Sequence, residues 1–337
     1  MSAINPQPAL ADVDRIVADT DAAVTEIKAA RAAIAKVIYG QETVVERALI
    51  TILAGGHGLL IGVPGLAKTK LVETLGIVFG LSERRIQFTP DLMPSDIIGS
   101  EVMDQSADGT RSFRFVPGPV FAQLLMADEI NRASPRTQSA LLQAMQEYHV
   151  TVAGVGHDLP LPFHVLATQN PLEQEGTYPL PEAQLDRFLL QIDVAYPDLE
   201  AERQMLFETT GSSEAKAAPV LDAESVRVIQ RLVRRMPVGE SVVEAILELV
   251  RSARSDGNPD EKIAASIAWG PGPRASQALM LACRARALID GRYAPSLDDV
   301  IALAEPVLQH RMALGFAARA DGLTVRDVIS DLKGRIG

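Results

Sequence analysis

The chain has 337 residues, 47% of them hydrophobic, long enough for two domains and apolar enough to fill a substantial core. A formal charge of −11 offers no basic field to phosphate backbones and argues against nucleic acid as the main partner. The one cysteine, Cys283, excludes a disulfide framework within the chain and fits a reduced, cytoplasmic compartment.

Residues 1–21 carry early acidic residues and lack a basic stretch followed by an apolar one, so no secretory signal is expected. Between 13 and 37, apolar positions recur every three or four residues, which predicts one or two amphipathic helices in an N-terminal extension. The most apolar run, 51–66, is interrupted by glycines, His57 and Pro64 and is too short to span a bilayer, so no membrane anchor is predicted. From 41 to 191, helical runs alternate with short apolar runs at 58–63, 85–88, 124–127, 163–168 and 189–194, the pattern of a parallel sheet with crossover helices. After Tyr196-Pro197 the strand-like runs stop. A stretch at 210–219 reads as a loop, and the rest reads as helices only, with Asp222 as a cap and capping-box spacing from Ser296 to Asp299 and from Thr324 to Asp327. The expected architecture is an α/β core followed by a smaller all-α domain.

The run 58–63 leads into Gly62, Val63, Pro64, Gly65, Leu66, Ala67, Lys68 and Thr69, and a helix-like period begins at Thr69 and continues through Lys70. Strand, Gly-rich loop and helix in that order form a phosphate cradle, because loop N–H groups and the positive helix end point at the same place. Lys68 would reach the β- and γ-phosphates and Thr69 would bind Mg2+. Ala67 stands where the strict pattern has a second glycine, and its methyl group is tolerable only if the local φ is negative. The bland alternative is a Gly-Pro turn before an unrelated helix.

Roughly sixty residues later, an apolar run ends in Asp128 and Glu129. Asp128 would hold Mg2+ through water and Glu129 would polarise the attacking water; otherwise they are charges at a strand end. Asn170 ends another strand-like run and could orient that water, although an Asn before Pro171 also suits a plain turn. Arg187 precedes a strand-like run and could meet the charge developing on a transferred phosphoryl group, often in a neighbouring subunit, but an exposed ion-pairing arginine reads as well. Arg274, in the first turn of a helix, opposes the helix dipole and hints at an anionic partner. His149, His157 and His164 have no zinc-like spacing and read as ordinary hairpin and strand histidines.

With these residues in place the sequence resembles the AAA+ superfamily and, within it, the MoxR family. The matching runs are Tyr39-Gly40-Gln41, 62–69, 87–99, 113–121, 127–132, 137–142 and 167–171 through to Arg187-Phe188, and the likeness covers about Ile34 to the C-terminus. It implies a P-loop ATPase using ATP and Mg2+, with an α/β core at 34–197, a helical lid at 198–337 and an extension at 1–33. Gly40 and Gln41 would line the adenine pocket, Gly62 through Lys70 the phosphates, and Thr69 and Asp128 the metal. Asn170 resembles sensor 1, Arg187 a trans-acting arginine finger and Arg274 sensor 2, acting in cis or in trans. Segments 88–121 and 148–162 resemble a helix-2 insert and a pre-sensor-1 hairpin that face a pore or client.

The family implies a homo-oligomeric ring, usually a hexamer. It implies chaperone-like maturation of client proteins or metal-cofactor insertion, with a von Willebrand factor A domain protein as partner. A metal-chelatase ATPase subunit, a DNA-translocating motor and a non-catalytic nucleotide switch are the alternatives. The acidic charge counts against the DNA motor, and the joint presence of Glu129, Asn170 and Arg187 counts against the switch.

Overall fold

The structure, a computed structural model, describes residues 10–105, 111–173, 176–210, 216–256 and 260–336. The chain opens with α1 (Leu10–Ala35) and α2 (Glu42–Leu53), then β1 (Gly58–Ile61), α3 (Lys68–Val78) and β2 (Glu83–Gln87). Next come α4 (Pro94–Ile98), a hairpin of β3 (Gly99–Gln105) and β4 (Arg111–Pro117), β5 (Leu124–Asp128) and α5 (Pro135–Glu147). A second hairpin, β6 (His149–Val152) and β7 (Val155–Asp158), precedes β8 (His164–Gln169), α6 (Glu182–Leu185) and β9 (Leu190–Asp193).

All five strand-like runs read from the sequence become strands of one parallel sheet, in the order β2-β5-β8-β1-β9. The inner strands β1, β5 and β8 are nearly continuously buried because helices cover both faces, whereas the edge strands β2 and β9 carry polar residues, and side chains alternate between the two faces. Leu60, Leu124, Met126 and Leu166 point into one apolar cluster, while Leu59, Leu125, Ala127 and Val165 point into the other. Each such side chain taken from water contributes roughly 1.5–3 kcal/mol.

The first cluster continues without a break into the second half of the chain. There lie α7 (Leu199–Thr209), α8 (Ala223–Arg235), α9 (Glu240–Ser252), α10 (Glu261–Ser266), β10 (Ile267–Trp269), α11 (Pro273–Ile289), α12 (Leu297–Leu308), β11 (Ala313–Leu314), α13 (Phe316–Ala320) and α14 (Val325–Lys333). Asp222 caps α8 through Ser225 N–H at 2.8 Å, and both expected capping boxes form, at Ser296 and Thr324. The expectation of helices alone fails at β10 and β11, which pair antiparallel through Ile267 and Leu314. Strands of two and three residues are too short to show alternation, and their partners are far apart in sequence. The loop expected at 210–219 lies partly outside the described residues, and 216–222 carries no helix or strand.

The predicted N-terminal helical stretch is a single helix. Ala23, Ile27, Ala30 and Ile34 on one face of α1 are buried in the first cluster, where α1 lies against α3, α8 and α11. The two hairpins meet through aromatic rings. Phe115 of β4 stacks on His157 of β7 at 3.8 Å between centroids, and Phe121 packs edge-on against Phe115 at 5.5 Å.

Candidate nucleotide site

The loop after β1, the acidic pair at the end of β5 and Asn170 after β8 meet beyond the carboxyl ends of adjacent strands, where open parallel sheets bind ligands. They line a cleft of about 480 Å³ together with Thr69, Arg85 and Thr168. Gly62 has to be glycine, since a Cβ there would sit 2.7 Å from the Val194 carbonyl oxygen. Gly65 has φ +87°, which glycine adopts freely.

Ala67 corrects the reading above. It is left-handed, with φ 54° and ψ 21°, at the N-cap of α3, so the loop takes its phosphate-cradling turn despite a Cβ. Lys68 folds back and donates to the carbonyl oxygens of Gly62 and, at 3.0 Å, of Val63. Burial lowers the pKa of its ammonium, and the nearby Asp128 and Glu129 carboxylates oppose that shift.

Asp128 is gripped from two sides. Thr168 donates its hydroxyl at 2.5 Å, and the Arg85 guanidinium lies 2.6 Å away. Glu129 is also left-handed, with φ 54°, and its N–H donates to Thr168 Oγ1 at 2.9 Å. Its carboxylate accepts from Gln87 at 2.7 Å and Arg132 at 3.0 Å. Sequence reasoning missed Thr168, Arg85 and Gln87. Arg85 and Gln87 flank the buried Ile86 and so share a strand face, but only the β2–β5 pairing reveals that this face meets the acidic pair. Asn170 lines the cleft and also makes the turn, with Oδ1 accepting from Leu172 N–H at 3.1 Å.

A neighbouring cavity of about 360 Å³ shares Pro64, Leu66 and Lys70 with the loop; Ile38, Tyr196 and Met205 are among its apolar walls, and Gln41, Glu202 and Glu208 are among its polar ones. Its apolar walls suit a flat aromatic base, whereas the first cleft, with two hydroxyls, two carboxylates, the Lys68 ammonium and loop N–H groups, suits a triphosphate with Mg2+. Gln41 donates to the Leu66 carbonyl at 3.3 Å, and its Oε1 is buried without a partner. Gly40 lines neither cavity. It has φ +64° and lies behind them, where a Cβ would come within 2.1 Å of Ala201 Cβ on α7.

The two remaining candidates lie elsewhere. Arg187 precedes β9 and Arg274 lies in the first turn of α11, and both line a third cavity of about 300 Å³ with Gly56, His57 and Asp186. Gly56 and His57 precede β1 whereas the phosphate loop follows it, so this cavity lies at the opposite, amino-terminal end of the strands. Four strand residues alone separate the two ends by roughly 13 Å. Arg187 donates to the Leu142 carbonyl, and its Nε is buried without a partner. Burial and the adjacent Arg274 both lower its pKa.

Residues 57–190 match the family model "ATPase family associated with various cellular activities (AAA)", and 260–332 match an AAA lid domain. Chaperone MoxR1 of Mycobacterium tuberculosis is 43% identical over 298 residues, 88% of this chain and 78% of the relative. The chain belongs to the MoxR family of AAA+ ATPases. Protein MoxR of Methylorubrum extorquens is 31% identical over 83% of this chain and 85% of its own. A crystal structure of a candidate ATPase from Cytophaga hutchinsonii superposes with a TM-score of 0.89 at 37% identity, covering 97% of this chain and 98% of the other. Among the described residues, no helix of this MoxR-family chain is long and apolar enough to cross a membrane.

Proposed function

We propose that this MoxR-family chain hydrolyses ATP at sites shared between subunits of a homo-oligomeric ring, by family analogy a hexamer, and uses the cycle to remodel client proteins. The observation that carries the reading is the separation of the phosphate cradle from Arg187 and Arg274 across the sheet. Phosphoryl transfer gains most from a cation on the developing charge, and a subunit cannot bring either arginine to its own cleft without unfolding the sheet between them. A neighbour can, so both arginines act in trans.

Within one cleft, N–H groups of the loop and the N-terminus of α3 hold the phosphates. Lys68 leaves the carbonyls of Gly62 and Val63 for the β- and γ-phosphate oxygens. Thr69 and Asp128 would hold Mg2+, which would supply charge neutralisation for the phosphates, and Arg85 would then give up its pairing with Asp128. Glu129 releases Gln87 and Arg132 to polarise the attacking water, which Asn170 orients. Gln41 and the apolar walls beside it hold the base, and Gly40 lets α7 close against them. By the same analogy the paired hairpins face the client, and a von Willebrand factor A domain protein and metal-cofactor insertion are the partner and task to test first.

The test is complementation. Lys68→Ala and Arg187→Ala should each abolish turnover alone, and their mixture should recover activity because some interfaces then combine an intact cradle with an intact finger. A mixture that stays inactive while both variants assemble sinks the shared site.

A further inference from the structure

Resting on that shared-site reading, we propose that Arg311 and Asp186 form the mount that positions Arg187 and Arg274 together for a neighbour's phosphate, Arg311 being a positioning residue that touches no nucleotide itself. Arg311 is only 2% exposed, in the turn after α12. Its guanidinium has five N–H donors, and five oxygens accept them. Nε donates to Asp186 Oδ1 at 2.8 Å. Nη2 donates to the carbonyls of Asp186 at 3.2 Å and Phe188 at 2.6 Å. Nη1 donates to those of Leu189 at 3.2 Å and Val307 at 2.6 Å and also lies 2.8 Å from His310 Nε2. Four of the five oxygens therefore belong to 186–189, the segment that carries Arg187, and they bracket it on both sides.

The other oxygen of Asp186 faces Arg274 at 3.7 Å. Arg187 and Arg274 share one cavity and repel each other; Asp186 lines that cavity as the partner of Arg274, while Glu147 is the carboxylate that acts on Arg187. Fixing Asp186 thus does two things. It sets the backbone from which Arg187 projects, and it holds the counter-charge that lets a second arginine from α11 stay beside it. Arg311 and Arg274 lie in the stretch that matches the AAA lid and Asp186 in the stretch that matches the AAA core, so a rotation of the lid helices would be passed directly to the finger segment. Lysine cannot substitute, because one ammonium has three donors radiating from a point and cannot span four carbonyls and a carboxylate.

The experiment measures ATP turnover and ADP affinity of the full chain with Arg311→Lys and with Asp186→Asn, each alone and mixed with Lys68→Ala. The expected result is a fall in kcat of roughly 100-fold, the usual cost of misplacing a catalytic group by about an ångström. ADP affinity and KM should stay unchanged, and turnover should return on mixing, because the variant's intact cradle then meets a sound finger. Should Arg311→Lys fail to fold, as thermal unfolding would report, Asp186→Asn carries the same test from a less buried position. Unchanged kcat, or no recovery on mixing where Arg187→Ala does recover, overturns the mount. If Arg187→Ala itself is not rescued, the shared site has failed and the mount with it.

Discussion

Two residues of the candidate nucleotide cleft, Ala67 and Glu129, are held left-handed, a conformation that costs an ordinary L-residue roughly 1–2 kcal/mol. In each case something local holds it: Ala67 starts α3, and Glu129 N–H is caught by the Thr168 hydroxyl. Ala67→Gly should therefore stabilise the protein by about 1 kcal/mol, less whatever glycine adds to unfolded-chain entropy. A higher urea midpoint at unchanged slope would show it, and a lower midpoint would refute the strain. Glu129→Gln keeps the shape and the partners Gln87 and Arg132 but removes the base. It should retain bound ATP while steady-state turnover drops at least about 100-fold; turnover near wild type would assign the water to another group. The residues 62–69 were legible because one contiguous strand, loop and helix carries the whole cradle. Thr168, Arg85 and Gln87 were not, because their role depends on which strands become neighbours.

Helix α7 sits over the base-side cavity only because Gly40 lacks a side chain. Gly40→Val would strike Ala201 and force a β-branched residue to φ +64°, so the helix should lift from its seat. The expected outcome is ADP binding weakened by about tenfold, or about 1.4 kcal/mol, by calorimetry. Unaltered affinity would mean α7 contributes nothing to the base pocket. At this scale the sequence was most transparent where elements are long or continuously apolar. Five core strands could be read directly, and so could the caps at Asp222, Ser296 and Thr324. The short pair β10 and β11 could not, since two or three residues carry no period.

Three histidines at the arginine end of the strands tie the whole molecule to pH. His57 is buried, accepts from Val165 N–H at 3.0 Å and donates to the Met145 carbonyl at 3.1 Å, and burial with the nearby His164 lowers its pKa to about 3. Burial lowers His164 to about 4, and His310 falls well below the usual value for the same reason, with Arg311 adding to it. Their folded pKa values lie below the unfolded 6.5, so the unfolded chain takes up protons first and stability is lost as pH falls below about 6.5. The loss continues towards pH 4 for His164 and pH 3 for His57, with a slope of up to about 1.4 kcal/mol per pH unit for each group. Urea midpoints between pH 7.5 and 5 check this; a flat profile would mean that water reaches these rings.

The cradle and the arginines at opposite ends of the strands carry one more consequence. If each cleft borrows its cations, the contact between copies is head-to-tail, and it leaves one donor edge and one acceptor edge open after every addition. A pair would then own two cradles but only one complete active centre, and an open trimer two out of three. Only closure on itself leaves no copy idle. Specific activity should accordingly climb with protein concentration and level off when the last gap shuts, so a turnover assay on diluted enzyme also counts unclosed ends.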